Sequence, residues 1–148
     1  MPRVFKDTPL VDITLRKFER PSGEELDVLI RKFCISVGML QPGDSRDVVA
    51  DILKLLLHAK KEGKFYSSAE LETQLKRVRT EGIAASNIRR QLLRLERLGL
   101  VEKIKDGYRI REFLELAKIM DEHVSKFVIE PTLKRIQEYA EEIDKRLG

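Results

Sequence analysis

Residues 86–110 read SNIRRQLLRLERLGLVEKIKDGYRI. Ile88, Leu92, Leu95 and Leu98 recur by steps of four, three and three, the spacing that puts side chains on one face of an α-helix. The pattern predicts a basic amphipathic helix over about 84–98, packed inward by that face. Ser86, Asn87, Arg89, Arg90, Arg94 and Arg97 are left outside. Gly99 ends the helix, and alternation begins at once: Val101 and Ile104 on one strand, Tyr108 and Ile110 on the next. Asp106-Gly107 between them signals a hairpin, since such a turn needs positive φ. Lys103, Lys105 and Arg109 are then expected around the hairpin tip.

The charge follows the same pattern. The chain has 148 residues and a net charge of +4, which is unevenly divided. Residues 76–111 hold eleven Lys/Arg against four Asp/Glu, a surplus of +7. Residues 112–148 hold six against nine, a balance of −3, and residues 1–75 are neutral. A positive field focused on one helix and one hairpin is what phosphate binding requires. At 42% hydrophobic and 36% charged residues, the composition excludes a disordered chain. No apolar run approaches the roughly 18–20 residues that span a bilayer, so no membrane partner is expected. The opening MPRVFKDTPL lacks a signal-peptide core, and the single Cys34 makes no internal disulfide, which together point to the cytoplasm. Abundant Lys, Arg and Glu without Trp lean towards a thermophilic or archaeal source.

Upstream, Val11, Ile13 and Leu15 alternate with Asp12, Thr14 and Arg16, which predicts a short half-buried strand over 11–19. Ser22 and Glu25 have capping-box spacing before a helix with Leu26, Leu29, Ile30, Phe33 and Val37 inward, ended by Gly38. Cys34 beside that stripe reads as a small buried thiol. A second helix is expected over about 46–62, capped by Asp44 or Ser45, with Val48, Val49, Ile52, Leu53, Leu56 and Ala59 inward. Phe65-Tyr66 suits a brief strand. Ser67 and Glu70 form another capping box, for a helix with Leu71, Leu75 and Val78 inward. From Leu75 to Ile88 is thirteen positions, which requires either a longer helix or an extended loop.

Downstream, one or two long helices are expected from Arg111 to Leu147. Phe113, Ala117, Met120, Val124 and Phe127 step by four and three, and then the register shifts before Pro131, which suits a first helical turn or a kink. Ile129, Leu133, Ile136, Ala140, Ile143 and Leu147 repeat at coiled-coil spacing over fewer than three heptads. That stripe fits either a second subunit or the chain's own core, and dimerisation is the expectation adopted.

The succession of elements over 44–110 resembles the winged helix-turn-helix superfamily of transcriptional regulators, such as the MarR-, ArsR- and PadR-type families. In their recognition helices an N-terminal Thr-Val-Ser-Arg leads to Leu-x-x-Leu-Glu and Gly-Leu-Val. Here Asn87-Ile88-Arg89-Arg90 leads to Leu92, Leu95-Glu96 and Gly99-Leu100-Val101. The resemblance implies a mainly α fold with a small β-hairpin, in three parts. Residues 1–43 would be an N-terminal strand and helix extension, 44–110 the winged-helix domain, and 111–148 C-terminal helices for dimerisation. It further implies a sequence-specific, double-stranded DNA-binding transcriptional regulator acting as a homodimer. Helix 84–98 would lie in the major groove and the wing 101–110 on the backbone or minor groove.

The residues suit that chemistry. Recognition helices read bases from their N-terminal turns, which favours Ser86, Asn87, Arg89 and Arg90. Arg pairs bidentately with guanine and Asn with adenine, while Arg94, Lys103, Lys105 and Arg109 suit phosphates. A winged-helix adaptor that binds a protein of the transcription or replication machinery is the alternative, but it needs no such arginines. RNA binding often adds stacking aromatics, and only Tyr108 lies in the basic segment. An enzyme is not expected. His58 and His123 stand apart, and neighbouring helical residues such as Asp121, Glu122 and His123 cannot converge on one metal. No motif for a cofactor is present, and no residue pattern specifies a small-molecule effector.

Overall fold

The computed structural model describes residues 7–148. Four helices come first: α1 (Leu26–Ser36), α2 (Val48–Lys61), α3 (Ser68–Lys76) and α4 (Ala85–Leu98). The strands β1 (Val101–Ile104) and β2 (Gly107–Ile110) form an antiparallel hairpin with Val101 opposite Ile110. A tight turn over Arg111–Phe113 leads into a helical rod made of α5 (Leu116–Ile119), a π-helical segment (Met120–Ile129) and α6 (Glu130–Leu147). The protein is therefore mainly helical with one small hairpin, an α+β fold. No helix is long and apolar enough to cross a membrane among the described residues.

One apolar core joins α1 to α4, the hairpin and the start of the rod. Ile52, Leu53 and Leu56 of α2 lie at its centre, against Leu71 and Leu75 of α3 and Ile88, Leu92 and Leu95 of α4. The helix-period stripes read from α2 and α4 are therefore the faces actually buried. Cys34 is fully buried, and desolvation pushes its thiol up to about 12. That matches its reading as an inert packing residue.

The local devices divide. Ser67 and Glu70 form the expected capping box at α3: the Glu70 amide donates to Ser67 Oγ and the Ser67 amide to Glu70 Oε1, each at 3.1 Å. The Ser22–Glu25 box does not form. Ser22 donates to Glu24 instead, and α1 starts at Leu26 with no side-chain cap. Leu26 is consequently an exposed end residue rather than part of the inward stripe. At α2, Asp44 Oδ1 accepts from the Arg46 amide in the turn before the helix, so neither Asp44 nor Ser45 is its cap.

No strand forms over 11–19, because no neighbouring strand takes its backbone groups. The segment is held by Arg16. Its amide donates to the Ser36 carbonyl at 2.8 Å, and its guanidinium donates to the carbonyls of Ile35 (3.0 Å) and Leu40 (3.1 Å). The Arg16 cation thus binds carbonyls at and just beyond the C-terminal end of α1, where the helix dipole favours positive charge. Leu10, Val11 and Leu15 remain exposed.

The hairpin turn corrects the reading of Asp106-Gly107. The turn residues are Lys105 and Asp106, and neither has positive φ. Gly107 sits in β2, where a Cβ would lie 2.5 Å from the Tyr66 carbonyl oxygen. Tyr66 and Tyr108 exchange both backbone hydrogen bonds (3.1 and 2.8 Å), so the brief strand expected at Phe65-Tyr66 is a bridge onto β2. Glycine is required there for close approach rather than for turn geometry.

The rod departs most from the sequence reading. Leu114, Ile119, Val124 and Ile129 step by five, and all four pack on the core. A π-helix, whose hydrogen bonds span five residues, aligns such positions on one side. The four-and-three stripe holds only in part: Met120 and Val124 pack on the core, but Phe127 is 68% exposed and Ala117 faces solvent. Pro131 enters at the first turn of α6 without breaking the rod. Ile129, expected in a dimer seam, belongs to the chain's own core.

Candidate nucleic-acid interface

The approach to α4 is an eight-residue loop, 77–84, so the long spacing from Leu75 to Ile88 is resolved as loop rather than helix. Val78, expected inward, is exposed on it. Arg79 clasps this loop to α2. Its Nη1 lies 3.1 Å from Asp47 Oδ1 and 2.8 Å from Asp51 Oδ2, and its Nε donates to the Glu81 carbonyl at 2.8 Å. Burial opposes the Arg79 charge, but the hydrogen bonds it donates to Asp51 and Asp47, with their negative charges, outweigh it and raise its pKa. Asp47 also meets Arg31 of α1 at 3.4 Å, so one carboxylate ties α1, α2 and the loop together. Nothing local in the sequence marks Arg79, whose partners lie 28 and 32 residues away.

Two polar stripes of α4 have different fates. Asn87, Gln91 and Arg94 face the chain itself. Asn87 Nδ2 donates to the Gly82 carbonyl at 2.8 Å, and its Oδ1 accepts from Arg90 (2.8 Å) and Gln91 (3.2 Å). Arg94 donates to Gln91 Oε1 at 2.7 Å and to the Gly38 carbonyl at 3.1 Å, which fastens α4 to the end of α1. These two expected contact residues are therefore occupied by the fold. Beside them runs a groove of about 440 Å³, lined by Met39, Arg46, Val48, Arg79, Asn87 and Arg94 among others.

The second stripe is open to solvent, with Arg90 at its edge donating to Asn87. Ser86, Arg89, Arg90, Leu93 and Arg97 are all exposed, and Arg89 and Arg97 have no hydrogen-bond or ion-pair partner among the described residues. Arg97 lies here as the periodicity of 84–98 predicts, and beside it stands Leu93, which that periodicity assigns to neither face. An exposed leucine amid arginines is the signal that would have found it.

On the hairpin, Lys103 and Lys105 are exposed, and Lys103 Nζ sits 5.9 Å from the Tyr108 ring centroid. Arg109 is not at the tip. Cross-strand from Glu102, it pairs with that carboxylate at 2.6 Å, and its guanidinium stacks 4.7 Å over the Phe113 ring. Glu102 also receives Arg111 at 3.8 Å and the Glu112 amide at 3.3 Å, and Arg111 Nε donates to the Gly99 carbonyl at 2.7 Å. The hairpin base is thereby locked to the end of α4. Gly99, at φ 99°, closes α4 where a Cβ would overlap the His123 ring of the π segment. Desolvation, with help from the Arg111 charge, lowers the His123 pKa.

Glu112 and Phe113, at φ 49° and 55°, reverse the chain between hairpin and rod. Beyond it, α6 buries none of its residues. Leu133 (54%), Ile136 (59%) and Ile143 (56%) are more than half exposed, and Ala140 and Leu147 lie open on the same stripe.

No protein-family model, curated protein or solved structure matches the chain.

Proposed function

We propose that this chain is a winged-helix protein that binds double-stranded DNA as a homodimer and regulates transcription from the cytoplasm. The observation that carries this reading is the exposed face of α4, where Ser86 projects beside Arg89, Arg90 and Arg97, three arginines with no carboxylate partner among the described residues. Arg89 and Arg90 lie in the first two turns and reach base edges in the major groove, where Arg favours guanine. Arg97, Lys103 and Lys105 neutralise phosphates. Arg94 and Arg109 take no direct part, since each already serves the fold. The exposed stripe of α6 supplies the second subunit's contact, which sets two half-sites about 34 Å apart. No reaction, metal or cofactor is assigned.

The test is binding of duplex DNA, single strand and structured RNA across a salt series. With about four to eight phosphates neutralised per dimer, log K for duplex falls with log salt at a slope of roughly −4 to −7. A flat response to duplex removes the proposal. The protein-binding adaptor is the second reading, favoured by the exposed Leu10, Val11, Leu15 and Phe18 of the N-terminal segment. It requires no duplex binding at any salt.

A further inference from the structure

We propose that Leu93 reads the C5-methyl group of a thymine in the major groove, an inference that rests on the duplex-reading role given to α4. The other large aliphatic residues of α4 split sharply: Ile88, Leu92 and Leu95 are fully buried and Leu98 nearly so, whereas Leu93 is 44% exposed. Leu93 follows Arg89 by four positions and Arg90 by three, and precedes Arg97 by four. These are the separations at which helical side chains stand side by side. Glu96, three positions on, is half-buried at the edge of this face, so the apolar side chain is set chiefly among three exposed cations, of which Arg89 and Arg97 are free of any partner among the described residues.

A single exposed leucine is ordinary on a protein surface. Its place here gives it a consequence. When the arginines of this face engage phosphates or guanine, the leucine between them is carried into the groove with no polar atom to offer a base edge. It can form no hydrogen bond with adenine, guanine or cytosine. Thymine alone presents an apolar group on the major-groove edge, its methyl, beside the O4 acceptor. Burying that methyl against Leu93 favours thymine at one position, and a cytosine there leaves the leucine against a polar amine. Arg89 and Arg90 thus read hydrogen-bonding pattern while Leu93 reads shape and apolarity.

Duplexes enriched from a randomised pool by the full-length protein supply the probe. Each thymine of the enriched site is replaced singly by deoxyuridine, which deletes the methyl and nothing else. One thymine per half-site is expected to lose about three- to fivefold in affinity, the worth of one buried methyl. Leu93→Ala binds the thymine and deoxyuridine duplexes equally at that position, and Leu93→Met retains the difference. Because Leu93 lies outside the core, both variants keep the wild-type circular dichroism. The inference is overturned if no thymine is methyl-sensitive, or if Leu93→Ala keeps the sensitivity. Failure to enrich any duplex removes the DNA-reading proposal and this inference with it. Enrichment of a methyl-blind site removes only the role of Leu93.

Discussion

Gly107 and His123 show how single residues act through what lies against them. The Cβ of an alanine at 107 would displace the Tyr66 carbonyl, and with it two backbone hydrogen bonds between Tyr66 and Tyr108. At about 1 kcal/mol net for each bond, Gly107→Ala should lower the unfolding free energy by about 1–3 kcal/mol in urea titration. Asp106→Ala in the exposed turn should stay within about 0.5 kcal/mol. For His123, burial holds the folded pKa below the ordinary value of 6.5. The folded state therefore resists protonation while the unfolded chain accepts it. Stability is fully present above the unfolded pKa and is lost as pH falls from there through the folded value. Melting temperatures measured from about pH 8 down to about pH 5 should decline in the wild type and decline less in His123→Gln. Neither residue's role was legible in the sequence. The Asp106-Gly107 dipeptide by itself favours a turn, and the approach of Tyr66 that requires the glycine comes from 41 positions away.

Elements whose period is set by the chain itself were the legible ones. The stripes of α2 and α4 and the Ser67–Glu70 cap were read correctly because each is decided within one to four turns of helix. The N-terminal strand failed for the opposite reason: alternation alone does not make a strand when no neighbour supplies its hydrogen bonds. The free face of α4 was half legible. Periodicity separated inside from outside but could not tell that Asn87 and Arg94 are claimed by Gly82 and Gly38. The rod misled because a four-and-three reading was applied to a five-residue repeat. A direct check follows from that difference. Val124→Ala, at a fully buried position of the π segment, should cost about 2 kcal/mol, whereas Phe127→Ala should be nearly neutral. An ordinary α-helical stripe through both residues would make the phenylalanine the costlier loss. On α4 and the hairpin, Arg89→Ala should cost about 1–3 kcal/mol and relax base preference in competition binding. Lys105→Ala should weaken all duplexes alike and reduce the salt slope by about one.

At the scale of the whole molecule, the core ends where α6 begins, so α6 should be separable from folding. Removing residues 131–148 should leave a cooperatively unfolding protein that sediments as a monomer. Its affinity for a two-half-site duplex should fall by about 10²–10⁴, because the second contact is no longer intramolecular. Ile136→Glu with Ile143→Glu should give the same monomer while keeping the helix length. An intact protein that sediments as a monomer at tens of micromolar would end the dimer proposal. The Arg79 clasp bears on a different quantity. By fastening an eight-residue loop to α2 in the free protein, it settles the conformational entropy of the approach to α4 before any ligand arrives. Breaking it with Arg79→Gln leaves Arg89, Arg90 and Arg97 of α4 in place, yet the loop must then be ordered during association. In titration calorimetry the penalty should appear as a less favourable binding entropy, with the enthalpy of the α4 contacts little changed. The clasp would then be a determinant of affinity that acts through the order of the loop it holds.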